Sequence, residues 1–236
     1  MGLEHVLGKY GYFLNDEDAL MHIGSSGIDT YHDTIDFVLS PKEINEFLQK
    51  TRDFNLGQCS YNRITGLYVT KLIQNSFNAG HSRFHLSMPM ELDCVGFGLK
   101  GSLQQNVIVD VDYSLGSSCF TGSERCSAFI VGSVKNNFAR CAKNSVFEVK
   151  GNTGYATAGY STGCMYYFYG EIKSGFDCAK GNEFKAYSEQ ALKTFKKYVP
   201  SGNLIWHVKN NDSVHQISIT RLRDRFPFLE HFMRRH

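Results

Sequence analysis

One pattern recurs in the segments Phe120-Thr-Gly-Ser123, Cys141-Ala-Lys-Asn144, Tyr160-Ser-Thr-Gly163 and Cys178-Ala-Lys-Gly181. Each segment is a hydrophobic or thiol residue, two small or polar residues, and then Gly, Asn or Ser. A fainter copy begins at Leu99. The segments begin at 99, 120, 141, 160 and 178, which are 21, 21, 19 and 18 residues apart. Self-similarity with a period of about twenty residues is typical of a solenoid.

Each segment is soon followed by an alternating, strand-like run, and these runs cover 107–111, 128–132, 146–151, 165–170 and 183–187. A single coil cannot bury its own inward face, whereas stacked coils can, because each strand pairs with its equivalents about 4.8 Å above and below. We therefore predict a mainly β fold with flanking helices. Its centre is a right-handed β-helix, or solenoid, of about five coils, capped by helices.

Local signals outside the repeat predict three regions. Residues 1–98 form a mainly helical N-terminal region or cap, 99–188 form the β-helix repeat, and 189–236 form a helix, a β-hairpin and a basic tail. Ser40, Pro41 and Glu43 make a capping box for a helix over 41–53, and a second helix is predicted over 62–78. Ser188 is a suitable N-cap for a helix over 189–199, and the turn-forming residues 209–213 separate the two strands of the hairpin.

Composition excludes several classes of protein. The 236 residues are 42% hydrophobic and 20% charged, as in an ordinary globular protein. The net charge of +2 is too small to make nucleic acid or an acidic membrane the bulk partner. The chain shows no charged leader before an apolar core and no apolar run of about 18 residues, so we predict a cytoplasmic protein without a transmembrane segment.

The seven cysteines are predicted to be reduced thiols. Cys141 and Cys178 hold equivalent repeat positions, and we expect the cysteines to stack inside the coil as small hydrophobic residues rather than to act as ligands or nucleophiles. His81 and His85 would share a helix face with zinc-ligand spacing, but residues 82–88 alternate like a strand, which separates such residues by about 13 Å. We therefore predict no metal site and no cofactor. A Cys–His nucleophile pair stays an open alternative, although no local motif indicates one.

The stretch 149–170 contains Gly151, Gly154, Gly159 and Gly163 among small residues, then an alternating strand, and then Gly170. It resembles a coil of the glycine-rich GXGXG domain, a right-handed β-helix at the C-terminal end of the glutamate synthase large subunit. Related coils occur in one of the subunits of formylmethanofuran dehydrogenase. The resemblance covers about ninety residues and implies a chiefly structural role, in which the β-helix braces catalytic domains or subunits. It carries over no catalytic residue.

Two further patterns bear on function. Asp110 and Asp112 lie on one face of a predicted strand, where a carboxylate pair suits acid–base chemistry or cation binding as well as a solvated surface. The tail is basic and amphipathic and is a candidate interaction segment, with Arg221, Arg223, Arg225, Arg234 and Arg235 among its aromatic residues.

The leading prediction is a non-catalytic structural or assembly module that mediates protein–protein interaction or subunit bracing, with a protein partner or a second copy of itself. The alternative is an enzyme that acts on a carbohydrate or other polar polymer along the β-helix flank, with Asp110 and Asp112 as catalytic candidates. A third prediction is nucleic-acid binding by the tail.

Overall fold

The computed structural model describes residues 2–15, 35–54, 61–88, 90–208 and 214–217. A parallel β-sheet winds into a solenoid of about five turns, with a few helices flanking it. This architecture confirms the predicted fold class.

Eight strands of the described residues form one sheet, in which they follow each other in chain order. They are β1 (Arg83–Leu86), β2 (Val107–Val111), β3 (Cys126–Ile130), β4 (Val146–Val149), β5 (Met165–Phe168), β6 (Glu183–Ala186), β7 (Leu204–Val208) and β8 (Val214–Ile217). Strands β1 to β7 pair in parallel. Strand β8 is antiparallel to β7, which confirms the predicted hairpin.

The strand register shows the true period of the repeat. Equivalent residues are 19 apart from β2 through β5, 18 apart from β5 to β6, and 21 apart from β6 to β7. Isolated bridges on another side of the coil join Lys100, Glu124, Lys143, Thr162 and Lys180. Gly122, and not Phe120, is therefore the equivalent of Cys141, so the predicted starts at 99 and 120 are displaced by one and two residues. The repeated segment begins with a hydrophobic or thiol residue, and Phe120 has the right residue type. It is nevertheless not at the equivalent position, and its side chain lies in the core.

Alternate strand residues point into the solenoid and stack in rows along it. One row is fully or almost fully buried and consists of Phe84, Val109, Ala128, Phe147, Tyr166, Phe184 and Ile205. The rings of Phe147 and Tyr166 stack at 5.4 Å, and those of Tyr166 and Phe184 at 5.0 Å. Complete burial of one such side chain contributes about 1.5–3 kcal/mol, so these rows hold the coils together.

At one corner of each coil the chain turns through left-handed residues that are not all glycine. In the coil that begins at β3, which we call the third coil, Asn137, Ala139 and Cys141 have φ values of 59°, 51° and 58°. The Asn137 and Cys141 N–H groups donate to the following coil at 2.8 and 2.7 Å. The Ala139 N–H group donates to the preceding coil at 2.9 Å. The left-handed backbone is therefore maintained by hydrogen bonds to both neighbouring coils.

A second corner of the coil requires glycine because consecutive coils approach each other closely there. Gly132, Gly151 and Gly170 lie above one another, where consecutive coils approach closely. A Cβ atom on Gly170 would lie 2.4 Å from the carbonyl oxygen of Gly151, and one on Gly151 would lie 2.7 Å from that of Gly132. Glycine is the one residue that fits this contact.

Four α-helices flank the sheet in the described part of the chain. They are α1 (Leu3–Asn15), α2 (Pro41–Thr51), α3 (Tyr61–Asn78) and α4 (Glu189–Tyr198), and a short 3₁₀ helix (Arg52–Phe54) follows α2. Ser40 caps α2, because the Glu43 N–H donates to Ser40 Oγ and the Ser40 N–H donates to the Glu43 carboxylate. Ser188 caps α4. Both predicted caps are confirmed.

The N-terminal end of the solenoid is sealed by polar side chains of α3, which we call the polar seal. Thr70 Oγ1 accepts from the Gly96 N–H at 2.8 Å and donates to the Gly66 carbonyl at 2.7 Å, with the Cys94 carbonyl at 3.3 Å. Gln74 accepts from the Lys100 N–H at 2.8 Å and donates to the Lys100 carbonyl. Because Gly66 has no side chain, α3 approaches the Asp93 carbonyl closely enough to form these bonds.

The free edge of β1 is covered in the same way. The Ser87 N–H donates to Asn45 of α2, and Gln49 of α2 donates to the Ser87 carbonyl. Unpaired edge groups template aggregation in other sheets, and here α2 packs against β1 and its side chains bind the residue at the end of that edge.

The C-terminal end is closed by aromatic packing from α4. Phe195 is fully buried, and its ring lies 5.4 Å from both Phe176 and Phe184 and 6.0 Å from Phe168. The sheet then continues past the helix into β7 and β8.

The sheet extends beyond both ends of the predicted repeat, 99–188, because β1 precedes it and β7 and β8 follow it. Among the described residues, no helix combines the length and the apolar character needed to cross a membrane.

Candidate functional site

The two predicted acidic residues lie together on the outward side of β2, and each has a basic partner on β1. Arg83 donates through Nε to Asp110 Oδ2 at 2.7 Å and through Nη2 to Asp110 Oδ1 at 3.2 Å. His85 Nε2 lies 2.9 Å from Asp112 Oδ2. The hydrogen bond and the charge of Asp110 raise the pKa of Arg83. Asp110 and Asp112 are therefore neighbours, as predicted, but both already contact a partner within the chain.

Arg83 and His85 were not predicted as partners of these carboxylates. They lie 27 residues upstream, across the longest coil, where equivalent residues are 25 apart. The nineteen-residue period does not extend to this pair of strands, so the sequence indicates no register for it. The five arginines predicted for interaction, Arg221, Arg223, Arg225, Arg234 and Arg235, lie outside the described residues.

Besides the side that faces the core, the strands present an outer side of the sheet. We define the outward sheet face as the alternate outward residues of β1 to β7, together with the next outward position, two residues further along the chain, where it lies just beyond the strand. Its central members are Ile108, Asp110, Asp112, Ser127, Phe129, Val131, Val146, Glu148, Lys150, Met165, Tyr167, Tyr169, Glu183, Lys185, Tyr187, Leu204 and Trp206.

Apolar and aromatic side chains make up most of this face. Val131 is 61% exposed, Leu204 47% and Phe129 36%. Single exposed apolar residues are ordinary, but here Phe129 and Val131 lie on one strand, and the half-buried apolar residues Val146 and Met165 follow on the next two strands. Tyr, Trp, Phe and Met are the residues enriched in protein interfaces, and all four types occur on this face.

The aromatic rings on the outward sheet face are engaged with each other and with lysines. Tyr169 and Tyr187 stack with their ring centroids 4.0 Å apart, and Lys150 Nζ lies 3.5 Å from the Tyr169 ring. Lys185 lies 4.8 Å from the ring of Tyr167. Burial, followed by the hydrogen bond with Tyr169, raises the pKa of Tyr187 to about 12. The rings therefore form a preorganised surface whose flat faces are already in contact.

The remaining charges of the face are paired along the strands. Glu148 pairs with Lys150 at 2.5 Å, and Glu183 pairs with Lys185 at 3.3 Å. Burial lowers the pKa of Lys150, but its hydrogen bonds with Glu148 and Tyr169 outweigh this effect and the net pKa is raised. These pairs keep the charges of the face close to balance, which reduces the desolvation penalty of covering it.

The face has a concave border near its C-terminal end. A cavity of about 390 Å³ is lined by Gly163, Cys164, Met165, Gly181, Asn182, Glu183, Gly202 and Leu204. The three glycines have positive φ, and the absence of their side chains opens the corner beside Met165 and Leu204. The cavity therefore gives the outward sheet face a concave edge.

The cysteines are divided differently from the prediction. Cys141 and Cys178 are equivalent, as predicted, but both are exposed, because they lie at the left-handed corner and point outwards. Cys126 and Cys164 are buried, and Ser145 lies between them in one row. Burial raises the pKa of Cys126 to about 12 and that of Cys94 to about 11, so these thiols are protonated at neutral pH.

Within the residues that the structure describes, no three His, Cys, Asp or Glu side chains lie close enough together to hold a metal ion. Comparison of the chain with protein-family models, curated proteins and solved structures gives no significant match.

Proposed function

We propose that the protein is a non-catalytic assembly module that binds another protein through its outward sheet face. The observation that carries this proposal is the group of apolar and aromatic side chains on the outer side of the sheet: Phe129 and Val131 of β3 are exposed, and Met165 and Tyr167 of β5, two strands away, are half-buried. Covering such a surface removes apolar area from water, and its paired charges lose less on desolvation than unpaired charges would.

Rigidity supports the same function. The face is built on a sheet whose strands are hydrogen-bonded on both sides from β2 to β7, and its rings are held by stacking. A partner would bind to side chains whose rotamers are already fixed, which lowers the entropic cost of association. The resemblance of residues 149–170 to β-helices that brace other subunits agrees with this proposal.

The alternative, an enzyme acting on a carbohydrate or other polar polymer, receives less support. Carbohydrates stack on free aromatic faces, whereas the faces of Tyr169 and Tyr187 are in contact with each other. The candidate acid and base, Asp110 and Asp112, are bound by Arg83 and His85. Unchanged turnover of a polysaccharide substrate by the double variant Asp110→Asn, Asp112→Asn would remove this alternative.

The proposal is tested by a photo-activated cross-linking amino acid placed at Val131 in cells that produce the protein naturally. We expect a covalent adduct to one defined protein, identified by mass spectrometry from peptides on both sides of the link. The same amino acid at Leu103, which is 80% exposed and lies outside the sheet, is the matched control and should give no such adduct. Equal labelling at the two positions, or none at Val131, contradicts the proposal.

A further inference from the structure

The outward sheet face is arranged symmetrically about β4. On one side β3 carries Phe129, followed by Val131, and on the other side β5 carries Tyr167, followed by Tyr169. Strand register places Phe129 and Tyr167 in one row, on either side of Glu148. Apolar side chains therefore lie at equal distances from the centre of the face.

The next strands outward carry charges of opposite sign in that same row. Asp110 of β2 lies two strands before Glu148, and Lys185 of β6 lies two strands after it. At about 4.8 Å per strand, these two side chains are roughly 19 Å apart within one chain and do not contact each other.

We propose that a second copy of this chain binds to the outward sheet face, related to the first by a twofold axis that runs along β4. The operation brings Phe129 onto Tyr167 of the second copy and Asp110 onto Lys185 of the second copy. Each contact occurs twice, because the interface of a twofold dimer is isologous. The inference rests on the proposed function, since it identifies the protein partner.

Like charges meet at the axis, because Glu148 and Lys150 of β4 each face their own copy there. The ion pair within each chain reduces this repulsion, and the two contacts between Asp110 and Lys185 offset it. The net charge of the whole chain is only +2, so long-range repulsion between two copies is small.

The size of the face also suits a dimer. Seven strands at about 4.8 Å and a strand length of about 17 Å give a flat area of roughly 500 Å² per copy. This area is below the roughly 800 Å² that each partner contributes to a standard interface, so we expect an association of micromolar strength.

Sedimentation of the purified chain measures the predicted association. We expect a species of twice the 26.7 kDa mass of one chain at micromolar concentration. Val131→Lys should convert it to monomer, because it places a charge in the apolar part of the interface. Leu103→Lys introduces the same charge outside the face and should leave the dimer intact. A natural chain that stays monomeric overturns the inference.

A charge exchange tests the twofold geometry itself. Asp110→Lys and Lys185→Asp should each raise the dissociation constant of the dimer about tenfold, since each opposes like charges across the interface. The double variant should restore the dissociation constant to nearly that of the natural chain. The pairs with Arg83 and with Glu183 remain broken in the double variant, so restoration must come from the second copy. Additive weakening in the double variant overturns the proposed axis.

The cross-link at Val131 separates this inference from the proposed function on which it rests. An adduct between two copies of the chain supports both. An adduct to a different protein overturns the second-copy inference and leaves the proposed function standing. The absence of any adduct overturns both.

Discussion

The two ends of the solenoid close by different means. At the N-terminal end, Thr70 and Gln74 of the polar seal bind backbone donors and acceptors of the first coil. At the C-terminal end, Phe195 fills the open core, and the sheet edge continues into β7 and β8. The first end satisfies hydrogen bonds, and the second buries apolar surface. A β-solenoid has both needs at each end, and the comparison shows which need each cap mainly meets.

The largest expected effect is at the C-terminal end. Phe195→Ala should lower the free energy of unfolding by about 3–5 kcal/mol, because it leaves a cavity among Phe168, Phe176 and Phe184. Chemical denaturation followed by circular dichroism measures the loss. Lys196→Ala, at an exposed position of the same helix, is the control and should change stability little. A loss below about 1 kcal/mol for Phe195→Ala would mean that the packing of α4 does not close the C-terminal end of the core.

A single methyl group should disrupt the N-terminal end. At Gly66 a Cβ atom would lie 1.8 Å from the Asp93 carbonyl oxygen, so Gly66→Ala must push α3 away from the first coil. We expect a loss of about 3 kcal/mol in the same denaturation experiment.

Gly8→Ala is the matched control for Gly66→Ala. Gly8 lies in α1, and a Cβ atom there has no neighbour within 4 Å. It should stabilise the protein by about 0.5–1 kcal/mol through helix propensity. Similar effects at the two glycines would show that α3 does not need close contact with the coil.

The polar seal can be weakened without changing shape. Thr70→Val leaves the buried Gly96 N–H without its side-chain acceptor, and should cost about 2 kcal/mol. Increased hydrogen exchange at the Gly96 amide would localise the effect to the first coil.

The same substitution at Thr153 should have the opposite sign. Thr153 is buried in a row with Leu115, Val134 and Ile172, and within the described chain its hydroxyl has no hydrogen-bond partner. Thr153→Val should therefore raise stability by up to about 1 kcal/mol. Equal losses at Thr70 and Thr153 would contradict a specific role for the polar seal.

The smallest expected effect distinguishes the helix caps at the two ends. Ser40→Ala and Ser188→Ala should each cost about 1 kcal/mol at neutral pH. Hydrogen bonds from the Ser40 side chain and backbone lower the pKa of Glu43 below its usual 4.5. The contribution of these hydrogen bonds to the free energy of unfolding is complete above pH 4.5, and it is lost as the pH falls through the lowered pKa of Glu43.

The cost of Ser40→Ala should therefore shrink in acid, whereas that of Ser188→Ala should not. Denaturant titrations of both variants and the natural chain between about pH 3 and 7 make the comparison. Parallel pH profiles for the two variants would refute the reciprocal bond at Ser40.

Signals that lie within a few residues of each other predicted most of the fold. Ser40 and Glu43 indicated α2, and strand alternation within a repeat indicated the solenoid. The sequence does not explain a glycine at position 66 inside α3, because its reason, the close contact with Asp93, is not local. The sequence also could not show that Cys141 points outwards, since the left-handed corner reverses the side expected for a small apolar residue.

The candidate surface was harder to predict than the fold. Strands such as β3 and β5 carry apolar residues on both sides, which removes the alternation that separates inside from outside. The partners of Asp110 and Asp112 depended on the register across the one long coil. The buried side of β3 and β5 and the register between β1 and β2 are both set by how the strands pack. The repeat period in the sequence does not encode either of them.

The left-handed corner residues have a consequence for how the chain reaches its structure. In the third coil four residues that are not glycine, Asn137, Ala139, Cys141 and Asn144, have positive φ, and each costs roughly 1 kcal/mol or more. Because hydrogen bonds to adjacent coils offset that strain, a lone coil should be too unstable to form first. We expect folding to start with two or more coils that form together and then to advance along the stack by templating. The growing tip would then be the slow and aggregation-prone species, and the two caps would mark where growth stops.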